Sequence, residues 1–154
     1  MKKTVAILSL CICVGILTGC GEKKKEETKV VECTQTQTLS TYEIKSNFKI
    51  TAKGEVVEKV EANETYTSED TSIVDQLEQT LNLQYENLNS SYGGYTHKVT
   101  KGEKEVSASV TIDYSKFDSK KFATDKKLES YIKDGRLTLD GVVKRYELNG
   151  ATCK

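Results

Sequence analysis

Two stretches of strict two-residue alternation flank a stretch that repeats every three to four residues, and this order constrains the fold more than any other feature of the chain. Over residues 42–52 the even positions are Tyr42, Ile44, Ser46, Phe48, Ile50 and Ala52, and the odd ones are Glu43, Lys45, Asn47, Lys49 and Thr51. Successive side chains of a strand point to opposite faces, so the pattern predicts an antiparallel strand with one wet face. Lys53-Gly54 turns the chain, and residues 56–66 read as the returning strand, with Val56, Val60, Ala62 and Tyr66 on one face. Ahead of this pair, residues 29–37 are polar and β-favouring, which predicts an edge strand carrying Cys33. The second alternating stretch sets Val106, Ala108, Val110, Ile112 and Tyr114 against Ser107, Ser109, Thr111 and Asp113. It follows residues 95–100 and a turn at Lys101-Gly102-Glu103, and so completes a second hairpin.

Between the hairpins, Ile73, Val74, Leu77, Leu81, Tyr85 and Leu88 recur at helical spacing, which predicts a helix over 71–90 whose stripe covers one face of the sheet. Glu69 and Asp70 sit where negative charge favours a helix N-terminus, and Gly93-Gly94 ends the helix. Beyond the second hairpin, residues 115–122 form a polar connection, 125–133 a short helix, and Asp134-Gly135 a break. Thr138 caps a last helix through Asn149, with Leu139, Val142, Val143 and Tyr146 inward and Gly150 as its stop. Gly141 inside that helix costs about 1 kcal/mol relative to alanine. The sum is an α+β fold, a mostly antiparallel sheet of about five strands with helices packed on one face.

The N-terminus follows a different logic. Lys2 and Lys3 precede a charge-free apolar run over 5–17, about 20 Å as a helix and shorter than the roughly 20 residues that span a bilayer. That length suits the hydrophobic region of a secretory signal; the alternative is an uncleaved membrane anchor. Leu17-Thr18-Gly19-Cys20 follows directly and resembles the lipobox of bacterial lipoproteins. The resemblance implies cleavage before Cys20, with residues 1–19 as signal peptide, and a diacylglyceryl group on the Cys20 sulfur. Two or more acyl chains, at about 0.8 kcal/mol per buried methylene, anchor durably where one does not. Residues 20–28 are then the lipidated cysteine and a charged disordered tether, and 29–154 a single extracytoplasmic domain. Taking Lys2 and Lys3 away leaves 21 basic against 23 acidic side chains. Lipid would therefore do the anchoring, on the extracytoplasmic side of the cell membrane, and that balance holds no basic patch of the size nucleic acid needs.

Cys11 and Cys13 lie in the apolar run and read as filler, so Cys33 and Cys153 remain as an even pair in an exported chain, predicted to be a disulfide. Zinc would need further ligands, for which His97 is the one other candidate, and redox-catalytic cysteines usually lie two residues apart. Given this order, Cys20 behind its box, Cys33 in the first exported strand, Ile112-Asp113-Tyr114-Ser115-Lys116 and the closing Gly150-Ala151-Thr152-Cys153-Lys154, the chain resembles the YehR-like bacterial lipoproteins, a family of unknown function. The resemblance implies location and fold, and brings no cofactor or catalytic residue with it.

The residues themselves point away from assembled catalysis. With a single histidine, enzymes that need several imidazoles are nearly excluded, and no nucleophile elbow accompanies His97. Gly93-Gly94 lacks the phosphate-loop spacing, and Glu61, Glu64, Glu69 and Asp70 do not follow a calcium loop. Asp113 alternates outward and is read as solvated. Tyr92, Tyr95, His97 and Tyr114 gather about the second hairpin as a possible binding patch, since tyrosine suits adaptable recognition. The expectation is a lipid-anchored, non-enzymatic module, with no metal or cofactor, that binds a protein or small molecule. The alternatives are an envelope hydrolase or metal-dependent enzyme using His97, and a purely structural or assembly lipoprotein.

Overall fold

The computed structural model describes residues 26–117 and 131–154. The signal segment and Cys20 lie outside these residues, and so does the helix expected over 125–133, except at its end. Three long antiparallel strands open the fold: β1 (Thr28–Thr38), β2 (Glu43–Lys53) and β3 (Val56–Thr67). Helix α1 (Thr71–Tyr92) follows, then the hairpin β4 (Tyr95–Lys101) and β5 (Glu105–Asp113). A short 3-10 turn (Tyr114–Lys116) leaves β5. The chain then forms a small ribbon, β6 (Ile132–Lys133) with β7 (Arg136–Leu137), helix α2 (Leu139–Leu148) and β8 (Thr152–Cys153). The main sheet runs β4-β5-β3-β2-β1-β8 and is antiparallel throughout.

The α+β architecture is thus the expected one, with six strands rather than about five. The added strand is β8, which pairs with β1 only at Cys33↔Cys153 and Thr34↔Thr152. β1 is therefore not an edge along its whole length; Glu32 and Lys154 exchange backbone hydrogen bonds of 3.0 and 2.9 Å beside the pair. The wet face of β2 is as read, since Ser46, Phe48, Ile50 and Ala52 are buried and their odd neighbours are not. On β3 one residue departs from the reading. The register passes from Thr51↔Lys59 to Ala52↔Val57, so Glu58 is the extra residue of a bulge, and Val57 rather than Val56 points inward.

α1 forms where the helical period predicts it and runs two residues further. Asp70 caps it by accepting from the Ser72 backbone N–H at 2.8 Å, and Val74, Leu81 and Tyr85 are buried against the sheet. Those hydrogen bonds hold the Asp70 carboxyl below its usual range. Thr138 caps α2 as expected, its hydroxyl accepting from the Gly141 N–H at 3.2 Å. The predicted break at Asp134-Gly135 is the turn of the β6–β7 ribbon, with φ of 53° and 74°. Asp-Gly favours such a turn, and its strands of two residues are too short to show a period. Ile132 and Lys133, expected at the end of a helix, are strand for the same reason. α1 packs over β4, β5 and β3, and α2 over β1, β3 and β8, so both helices cover one face of the sheet. The core is built on Ile50, Val60, Val106 and Cys33, none with any exposure.

Candidate functional site

The end of α1 and the start of β4 are joined by Gly93 and Gly94, both with positive φ, and this tight link sets Tyr92 and Tyr95 close together. The Tyr95 N–H donates to Asn89 Oδ1 at 3.1 Å, holding the strand against the helix terminus. Across the hairpin, Tyr95 pairs with Ile112, two residues before Tyr114. Phe117 then folds back as the hub of the group. Its ring lies 4.8 Å from Tyr114, 5.6 Å from Tyr95 and 6.2 Å from Tyr92. Edge-on and tilted ring contacts of this kind add stability beyond buried area. All four rings are partly buried.

The structure therefore brings three of the four predicted patch residues together around a fourth ring that the sequence reading did not include. Phe117 sits in a polar connection, off any period, so no pattern marks it. His97 shares the inward face of β4 with Tyr95, but its ring lies 5.5 Å from Tyr85 and belongs to a different group. Asp113 is not simply solvated. It accepts from the backbone N–H and hydroxyl of Ser115 at 3.1 and 2.5 Å and pairs with Lys116 at 3.0 Å, and these contacts hold its carboxyl below the usual range. Its task is to cap the turn that delivers Phe117.

The group around His97 centres on Glu64. Oε2 of this carboxylate accepts from the hydroxyls of both Tyr66, at 2.8 Å, and Tyr85, at 2.7 Å. One signal in the sequence pointed here: Glu64 falls on the even positions of β3, in step with inward Val60, Ala62 and Tyr66. Among the described residues no cluster of three or more His, Cys, Asp or Glu is placed to hold a metal ion. A shallow open hollow of about 620 Å³ lies along α1, lined by Leu83, Gln84, Leu88 and Tyr92 among others, and Leu83 is 60% exposed in it.

The tyrosines carry the clearest electrostatic signature. Burial raises the hydroxyls of Tyr66, Tyr85, Tyr95 and Tyr114, with the Glu64 charge adding to it at the first two. Burial pushes Tyr146 up to about 12, against the opposing charge of Arg145. A phenol raised in the folded state keeps a proton that the unfolded chain releases near pH 10, so stability is intact below about pH 10 and falls above it. Tyrosinate absorbance is expected to rise in one step with alkaline unfolding, after the more exposed tyrosines have titrated. Smooth titration of all eight tyrosines near pH 10 in a chain that stays folded would contradict this.

An antiparallel six-stranded sheet with two helices on one face is a YehR-like fold. The NMR structure of the E. coli YehR protein matches with a TM-score of 0.56 and 19% identity, over 84% of this chain and 91% of that one. The NMR structure of a protein from Streptococcus pneumoniae TIGR4 matches with a TM-score of 0.52 and 14% identity, over 100% of this chain and 97% of that one. No known family and no curated protein matches the sequence. The two likenesses define the fold; the chemistry rests on the residues described above.

Proposed function

We propose that the mature chain is a lipid-anchored extracytoplasmic module that binds a partner at the membrane surface and performs no covalent chemistry. One observation carries this reading: Cys20 stands directly behind an apolar run and two small residues, eight positions ahead of the first strand. Lipid on that cysteine would hold the folded body within a short flexible reach, about 16 Å root-mean-square for eight residues. The Cys33–Cys153 disulfide supports the placement, because such bridges persist in oxidising compartments. The hollow beside Tyr92, with exposed Leu83, offers the body a surface for a partner.

Intact-mass measurement of the membrane-extracted protein is expected to give a chain starting at Cys20 with added lipid mass. Cys20→Ser is expected to abolish lipid labelling and shift essentially all of the protein out of the membrane fraction after export. An unmodified chain still beginning with Met1 would overturn the anchor. The enzymatic alternative is separated by His97→Ala, which should leave partner capture unchanged.

A further inference from the structure

Glu64 occupies an inward position of β3, opposite Ser46 of β2, which is itself buried. A carboxylate on the apolar side of a sheet has lost part of its hydration, and such groups are normally kept by a cation or by full hydrogen bonding. Here the satisfaction is one-sided. Oε2 takes both phenol donors, Tyr66 and Tyr85, while Oε1 accepts no hydrogen bond and no cation pairs with Glu64 among the described residues. The two phenols supply donors but no positive charge. Glu64 is nonetheless only partly covered, so solvent reaches it. It is flanked by Tyr85 from α1, and its charge acts on Tyr146 of α2.

We propose that Glu64 anchors a binding site for a small alkylammonium cation, seated at Oε1 with the rings of Tyr66, Tyr85 and Tyr146 around it. The donor set selects this chemistry. A calcium or magnesium ion wants several anionic or carbonyl oxygens, whereas Glu64 is one carboxylate among neutral phenols. Zinc wants nitrogen or sulfur ligands, and His97 reaches this group only through its contact with the Tyr85 ring. An ammonium group instead carries donors for a single carboxylate oxygen and is attracted to aromatic faces. Burial keeps Tyr66 and Tyr85 protonated, so both go on donating to Oε2 and leave Oε1 open. Arg145 on α2 does not supply the missing charge: it acts on Tyr95, Tyr114 and Tyr146 and forms no ion pair with Glu64. This site goes beyond the anchored-module reading and would stand even if Cys20 carried no lipid.

The test is a titration of the full-length chain, in a non-ionic detergent, with butylammonium chloride, following the ring resonances of Tyr66 and Tyr85. Saturable shifts are expected with butylammonium and none with n-butanol at equal concentration and ionic strength. Glu64→Gln keeps an acceptor for the two phenols but removes the charge, and is expected to weaken binding at least about tenfold. Equal shifts from n-butanol, no saturation with butylammonium, or undiminished affinity in a folded Glu64→Gln chain would overturn the proposal. Should Glu64→Gln not fold, the comparison of the two ligands on the unaltered chain decides alone.

Discussion

Removal of the Cys33–Cys153 disulfide, by Cys33→Ala with Cys153→Ala, is expected to lower the free energy of unfolding by roughly 2–5 kcal/mol. The bridge joins residues 120 positions apart and so closes nearly the whole described chain into one loop. Chain-entropy reasoning puts the upper end of that range near 5 kcal/mol, because the oxidised unfolded chain has far fewer conformations to gain. A second contribution comes from the folded side. β8 has only two residue pairs with β1, and beside them the bridge and the Glu32–Lys154 hydrogen bonds hold it. Without the bridge, a two-residue strand has too few contacts to outweigh its ordering cost. The two contributions leave different marks in urea. An expanded reduced chain exposes more surface and raises the slope of unfolding, whereas fraying of β8 lowers the midpoint and strips amide protection from α2 and β8. Unchanged midpoint and slope on reduction would show that the bridge carries no stability.

Gly94→Ala is expected to cost about 3 kcal/mol, from left-handed backbone strain and a steric overlap together. At φ +75° a Cβ would stand 2.5 Å from the carbonyl oxygen of Asp113, a distance real Cβ atoms do not occupy. Asp113 cannot easily retreat, since its N–H donates to the Gly94 carbonyl at 2.9 Å and its carboxylate caps the turn leading to Phe117. Gly135→Ala provides the control. It has nearly the same φ, +74°, and nothing within 4 Å of its Cβ position, so it should show the backbone strain alone, about 1 kcal/mol. Urea unfolding of both variants separates the overlap from the strain; equal losses would mean that the close approach to Asp113 does not matter. The Gly94 variant should also disturb the ring resonances of Tyr92 and Tyr95, because this link sets their spacing.

Gly141 shows how the same residue type carries different meanings at the two levels. Counted along the sequence it is a penalty inside a helix. In the folded chain its missing side chain lets α2 approach Tyr131, whose Cα lies 2.9 Å from where a Cβ would be. The helix accepts a propensity loss of about 1 kcal/mol because packing at that spot admits no larger residue. The candidate patch divides in a similar way. Tyr92, Tyr95 and Tyr114 were legible because glycines and a hairpin bring them together locally. Phe117 and the Glu64 group were not, since rings and hydroxyls from β3, α1 and β4 meet only after the sheet has formed.

What the sequence determined by itself is the part governed by short-range periodicity: the long strands, the faces of β2 and β5, α1 with its Asp70 cap, and the α+β class. These follow because backbone geometry repeats every two or every 3.6 residues, and side-chain polarity records which face is wet. Tertiary structure alone decided the β3 bulge that exchanges Val57 for Val56, the pairing of β8 with β1, and the meeting of two phenols on one Glu64 oxygen. Each of these joins residues distant in the chain or spans too few residues to carry a period. Their energies come from contacts that exist only once the whole sheet is assembled.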